Sequence, residues 1–117
     1  MIRQGDVFWV DLGVPAGSGL GYLRPHVVIQ NNVFNSSRIH TVVVCAVTSN
    51  LKRGQAPGNV MLRKGEANLP KPSVVNISQL YTVDKSALYD KIGTLSKRRM
   101  LDVIRGIQLL IEPRDIK

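Results

Sequence analysis

Three features of this sequence predict a small, mainly β protein: a strongly curved antiparallel barrel, or pair of sheets, closed by one C-terminal helix. Turn-rich segments cut the chain up to Leu95 into about six short runs rich in Val, Ile and Thr. Aromatics make up only 5% of the residues, so the core must be built from aliphatic side chains. From Ser96 onward the apolar spacing changes to three and four, the mark of a helix with one buried face. Short strands followed by a single amphipathic helix fit a two-layer or closed β architecture capped by that helix.

The elements follow in order. Residues 5–12 (GDVFWVDL) alternate and are rich in β formers, giving a first strand. Residues 13–22 (GVPAGSGLGY) hold four Gly, a Pro and a Ser, so they form a long loop of the kind that often carries function. A second strand covers 24–31 (RPHVVIQN), with Pro25 at its start, where a strand tolerates proline. Residues 31–40 are a polar connector with room for one helical turn, and 41–50 (TVVVCAVTSN) are a buried third strand. A basic loop at 51–58 leads to a short strand at 59–63, and a turn-rich connector spans 64–72. A long strand at 73–83, a turn at 84–87 and a strand at 88–95 complete the β part. The helix begins after an N-cap at Ser96, buries Met100, Val103, Ile104, Ile107, Leu110 and Ile111, and stops at Pro113.

Length and composition set further bounds. At 117 residues the chain is expected to be one domain, 1–117, with a modest core. No apolar run approaches the roughly 20 residues of a membrane span, and the first residues lack a signal-peptide pattern, so a cytoplasmic protein is expected. A single cysteine, Cys45, excludes an intrachain disulfide and any multi-cysteine zinc site, and it fits a reducing compartment. The net charge of +8 points to a polyanionic partner, with an inert basic surface as the alternative.

Strand alternation gives candidate site residues. Arg24, His26, Val28 and Gln30 share one face of the second strand; Val42, Val44, Ala46 and Thr48 share one face of the third. If these strands are antiparallel neighbours, the Arg24 guanidinium and the Thr48 hydroxyl converge into a phosphate clamp, since Arg offers a rigid fork for phosphate oxygens. Taken singly, Arg24 reads equally well as a solvated strand-end charge and Thr48 as an ordinary β-branched residue. His26 and His40 are too isolated to imply a metal site, and Cys45 reads as a small core residue.

The ordered blocks RQGDVFWVDL, GSGLGYLRPHVVIQNN, VVVCAVTSN, PGNVML, LPKPSVVNISQLYTVDKSAL and KIGTLSKRRM cover nearly the whole chain. Together they resemble the MazF/PemK family of bacterial toxin endoribonucleases. The resemblance implies an SH3-like barrel of the CcdB/PemK type, a homodimer, and an acidic cognate antitoxin. It also implies cleavage of single-stranded RNA, often sequence-specific and typically messenger RNA, with no metal and no cofactor. Arg24 and Thr48 take the catalytic positions of the LRP and VTSN blocks. The Gly-rich loop, with Gly17, Ser18, Gly19 and Tyr22, becomes a flap over the RNA. Ser49, Asn50, Lys52, Arg53, Asn76, Ser78 and Gln79 would supply base and backbone contacts.

The implied chemistry is attack by the RNA's own 2′-hydroxyl, leaving a 2′,3′-cyclic phosphate and a 5′-hydroxyl. Arg24 would stabilise charge on the phosphoryl oxygens and Thr48 would orient the phosphate. Arginine is a poor general base because its pKa exceeds about 12. The chain departs from the family at His26, where a small apolar residue is usual. Either His26 packs structurally, or it assists proton transfer. Two other functions compete: a CcdB-like gyrase poison without nuclease activity, and a non-catalytic nucleic-acid-binding barrel. The scarcity of aromatic stacking platforms counts against the latter.

Overall fold

A computed structural model describes residues 1–13 and 23–116. Its strands are β1 (Asp6–Asp11), β2 (Leu23–Val28), β3 (Thr41–Thr48), β4 (Val60–Leu62), β5 (Ser73–Asp84) and β6 (Leu88–Thr94). Two helices, α1 (Asn32–Asn35) and α2 (Lys97–Ile111), complete the regular structure with short 3-10 turns at Leu51–Gln55, Glu66–Asn68 and Lys85–Ala87. The six strands form one antiparallel sheet in the order β4-β5-β3-β2-β1-β6. This is the mainly β architecture with a C-terminal helix that the turn spacing and the final helical period predict. The Gly-rich loop and its proposed flap lie almost wholly outside the described residues.

Both faces of the central strands are buried. Val7, Val27, Cys45, Val47, Val75 and Ile77 join Met100 and Val103 of α2 in the main core. Val28, Val42 and Val44 pack on the opposite side with Ile2, Phe8, Val83 and Leu88. Alternation along β2 and β3 thus feeds one valine set to each side, as the period of two requires. Buried Asp6 accepts from Arg3 N (3.0 Å) and Thr94 Oγ1 (2.9 Å) and pairs with Lys91 Nζ at 3.2 Å, tying β1 to β6.

The edge strands β4 and β6 do not pair with each other, so the hydrogen-bonded ladder stays open there. The 66–68 turn fills the gap. Asn68 Nδ2 donates to Ile92 O of β6 at 3.1 Å, and Gly93 makes the approach possible, since a Cβ there would collide with the Ala67 carbonyl. Arg99 of α2 grips the same turn through a bidentate pair with Glu66, Nε to Oε1 at 2.8 Å and Nη2 to Oε2 at 3.0 Å. The donating Arg99 guanidinium holds the Glu66 carboxyl below its usual range.

Ser96 caps α2 as its sequence position predicts, accepting from Arg99 N at 3.2 Å. One expectation fails at the other end. Leu110 and Ile111 carry the helical period but are 47% and 69% exposed. The face is buried only as far as Ile107, the last α2 residue packed against the core. Helix periodicity says which residues share a face, and the reach of the sheet beneath decides how many are covered.

Gly106 explains how closely α2 docks. Its Cα faces Gly58, whose φ is +76°, and a Cβ at Gly106 would overlap the Gly58 carbonyl oxygen and sit 2.9 Å from Ile77 Cγ1. Alanine at this position gains about 1 kcal/mol of helix propensity, yet it drives a methyl group into backbone that cannot rotate away. Gly106→Ala should therefore destabilise the fold by about 2 kcal/mol net. Urea denaturation followed by circular dichroism reads this as a lower midpoint with an unchanged slope, whereas Leu101→Ala on the exposed face (52% accessible) should shift it little.

Candidate active site

The pairing of β2 with β3 brings Arg24 and Thr48 together. His26 faces Ala46, Val27 faces Cys45 and Val28 faces Val44. Continuing that register two residues places Arg24 across from Thr48, the convergence that the strand pattern alone leaves open. Pro25 interrupts here because it has no N–H to give to the ladder. Arg24 is exposed, and its Nη1 donates to Leu23 O at 3.0 Å.

Both residues line one open cleft of about 550 Å³. Its walls come from Trp9 and Leu12 of β1 and the segment after it, Arg24, Pro25 and His26 of β2, Ala46 to Thr48 of β3 with Ser49 just after it, and Leu69 to Lys71 and Ser73 before and in β5. Gln79 and Tyr81 of β5 close the ring. Arg24 and Lys71 are cationic, and no carboxylate appears among the described lining residues. A concave, mostly apolar site with a few convergent polar groups is what a small ligand fragment needs. Among the described residues, no three of His, Cys, Asp and Glu cluster as a metal site would require.

At the β3 end a tight reversal arranges the polar groups. Thr48 Oγ1 accepts from Asn50 N at 3.1 Å, and Asn50 Oδ1 in turn accepts from Lys52 N at 3.2 Å to cap the 3-10 turn. The hydroxyl spends an acceptor lone pair on this bond and keeps its own proton for another partner. Ser49 lies in the cleft, while exposed Lys52 and Arg53 stand on the adjoining turn, outside the lining.

β5 contributes through an irregularity. Cys45 pairs with Leu80 but Val47 pairs with Val75, so residues 76–79 bulge opposite Ala46. Asn76 is buried at the bulge and held in a network: Asn59 Nδ2 donates to its Oδ1 (3.1 Å), and its own Nδ2 donates to Gln79 Oε1 (3.1 Å). Ser78 Oγ also donates to Asn76 Oδ1, at 3.3 Å. Of these three candidates Gln79 reaches the cleft; Asn76 and Ser78 brace the bulge beside it. Cys45 Sγ donates to Asn76 O at 3.1 Å, and burial pushes its thiol up to about 12, so it belongs to the core.

Gly17, Ser18, Gly19 and Tyr22 lie outside the described residues. Lys71, Trp9 and Tyr81 are cleft residues that the sequence pattern did not single out. The signal for Lys71 is its place in LPKPS, two residues before a strand that turns back beside the VTSN end.

A family model described as the PemK-like, MazF-like toxin of type II toxin-antitoxin systems matches residues 3–111. The chain is 37% identical over 112 residues to the endoribonuclease MazF2 of Mycobacterium bovis, covering 96% of this chain and 98% of that protein. It is 37% identical over 109 residues to the endoribonuclease MazF of Staphylococcus saprophyticus, covering 93% and 90%. An endoribonuclease solved in complex with its cognate antitoxin, from a mycobacterial species, gives a TM-score of 0.78 at 23% identity and covers 97% of this chain and 99% of that one. The MazF of Deinococcus radiodurans gives 0.73 at 22% identity, covering 96% and 97%. At these identities the two structures speak for the fold.

His26 is the titratable group that this cleft buries. It is 1% exposed, its Nδ1 lies 3.0 Å from Arg24 O, and its ring meets Tyr81 edge-on at 5.8 Å and 67°. Its Nε2 is buried and has no partner among the described residues. A carbonyl only accepts, so Nδ1 carries the proton, and the neutral ring leaves Nε2 with a lone pair. Burial lowers the His26 pKa, and the bond to the Arg24 carbonyl opposes this only in part. A histidine whose folded pKa is depressed binds its proton more readily in the unfolded chain. Its contribution is thus fully present above the unfolded value near 6.5 and is lost as pH falls toward the folded value. The thermal midpoint should drop as pH is lowered through and below this value, and His26→Phe should flatten that part of the profile.

Proposed function

The chain belongs to the PemK-like, MazF-like toxin family of type II toxin-antitoxin systems, and from that premise we propose that it is a metal-independent endoribonuclease acting on single-stranded RNA. The observation that supports this reading is one cationic cleft lined by both Arg24 and Thr48, just beyond the last β2–β3 pair, His26–Ala46. The substrate brings its own nucleophile. Its 2′-oxygen attacks the adjacent phosphorus, the bond to the 5′-oxygen breaks, and the proton lost by the 2′-hydroxyl is balanced by one gained by the leaving oxygen. The products are a 2′,3′-cyclic phosphate and a 5′-hydroxyl.

Each residue has a part that its chemistry suits. The Arg24 guanidinium stabilises charge developing on the phosphoryl oxygens, and the Thr48 hydroxyl donates to one of them. Lys71 attracts the neighbouring phosphate. Ser49 and Gln79 contact bases, and Lys52 and Arg53 steer the backbone as it leaves the cleft. Asn50, Asn76 and Ser78 shape the walls behind them, and Gly17, Ser18, Gly19 and Tyr22 contribute RNA contacts. The whole chain, 1–117, acts as one toxin domain, in the cytoplasm, as a homodimer. Its partner in the resting cell is an acidic antitoxin, for which a net charge of +8 per chain supplies the attraction. A gyrase-directed toxin would leave the opposed Arg24 and Thr48 without a use.

Incubation with a long messenger RNA in the presence of EDTA tests the proposal. Discrete fragments bearing 5′-hydroxyl ends should appear, ligatable only after phosphorylation. Arg24→Ala should slow their formation by about 100-fold or more while leaving the thermal midpoint nearly unchanged. RNA that stays intact, or a variant as fast as the native chain, contradicts it.

A further inference from the structure

We propose that His26 is a positioning residue for Arg24, holding the end of β2 in place through its Nδ1–H bond to the Arg24 carbonyl. This rests on the ribonuclease reading above and assigns His26 neither contact with RNA nor proton transfer.

The need for such a tether follows from the strand itself. Arg24 is the second residue of β2, at the strand's beginning. On the β3 side the paired ladder ends at His26 and Ala46, and the next residue, Pro25, has no N–H to extend it. Among the described residues, the stretch Leu23–Pro25 pairs with β1, through Trp9, Val10 and Asp11. His26 adds a bond at the required place, from its Nδ1 to Arg24 O at 3.0 Å.

The ring is locked for this task. It is 1% exposed at the cleft wall and meets Tyr81 of β5 edge-on. Its second nitrogen is buried and has no partner among the described residues. Among the described residues, the carbonyl of Arg24 is the group that selects the tautomer. The arrangement couples three strands: β5 packs the ring, the ring bonds the β2 peptide, and that peptide carries the Arg24 side chain into the cleft it shares with Thr48 of β3. Preorganised charge is effective only when it is already in place as the transition state forms.

Isosteric variants separate the two ring nitrogens. In His26→Asn the side-chain amide nitrogen stands where Nδ1 stood; in His26→Gln it reaches instead toward Nε2; His26→Phe keeps the shape and no donor. All three are first compared with the native chain by circular dichroism and thermal midpoint. In single-turnover cleavage of a labelled single-stranded RNA, Asn should retain the rate constant within about 2-fold, while Gln and Phe should each lose about 10-fold. Half-saturating RNA concentrations should stay within about 2-fold throughout, because a ring 1% exposed offers substrate almost no surface. A long-range proton–nitrogen spectrum of the labelled native protein should show one tautomer, protonated at Nδ1. A Phe variant as fast as an active native chain, an Asn variant as slow as Phe, or a ring protonated at Nε2 would overturn the positioning role. RNA left intact by the native chain would instead count against the ribonuclease reading.

Discussion

The alignment of β2 against β3 is the constraint on which the rest depends. Three residue pairs define it, from His26–Ala46 to Val28–Val44, and hydrophobic burial on both faces pins it. Val27 and Cys45 belong to the core under α2, and Val28 and Val44 to the cluster on the other side. Slipping by one residue would exchange the two sets and carry His26 and Arg24 to the wrong face. Each fully buried valine moved into a mismatched environment would forfeit roughly 1.5–3 kcal/mol. The register is thus fixed by apolar packing, and the polar residues at the strand ends inherit their positions from it.

The remaining architecture shapes the cleft around that pair. The bulge at residues 76–79 lets β5 run flush with β3 on either side while turning Gln79 toward the cleft. Asn59 satisfies backbone that the bulge leaves unpaired, its Oδ1 accepting from Ile77 N at 2.8 Å, while its Nδ2 donates to Asn76 Oδ1 at 3.1 Å. On the far side, glycines allow close approach where side chains would hold elements apart: Gly93 beneath Ala67, and Gly106 against Gly58. These contacts bring the 66–68 turn and α2 against the sheet. The same turn leads directly into Leu69, Pro70 and Lys71, which form one wall of the cleft. Closure of the fold and construction of the site use the same stretch of chain.

Much of this is legible in the sequence because local rules govern it. Gly, Pro and Asn clusters mark the strand ends, and Ser96 marks the start of α2. The family blocks single out Arg24 and Thr48, and alternation places each on a definite face. What stays hidden depends on contacts far apart in the chain. Leu110 and Ile111 obey the helical period but pass beyond the packed core. Asn76 and Ser78 read as site residues in a linear block, yet the bulge turns them to bracing neighbours rather than the cleft. Lys71, Trp9 and Tyr81 look ordinary in sequence and meet only because β1, β2, β3 and β5 share one curved sheet. His26 stands out only in part. Its departure from the family pattern is visible, whereas the bond to the Arg24 carbonyl and the Tyr81 contact are three-dimensional facts.

The central claim is that Arg24 and Thr48 act on one phosphate as a unit. A double-mutant cycle on the single-turnover rate constant, with Arg24→Ala, Thr48→Val and the two combined, tests it most directly. If both side chains serve the same phosphoryl group, the double variant will be little slower than the slower single variant, because removing one already forfeits most of what the other provides. Fully additive losses would contradict this and place the two residues in separate roles.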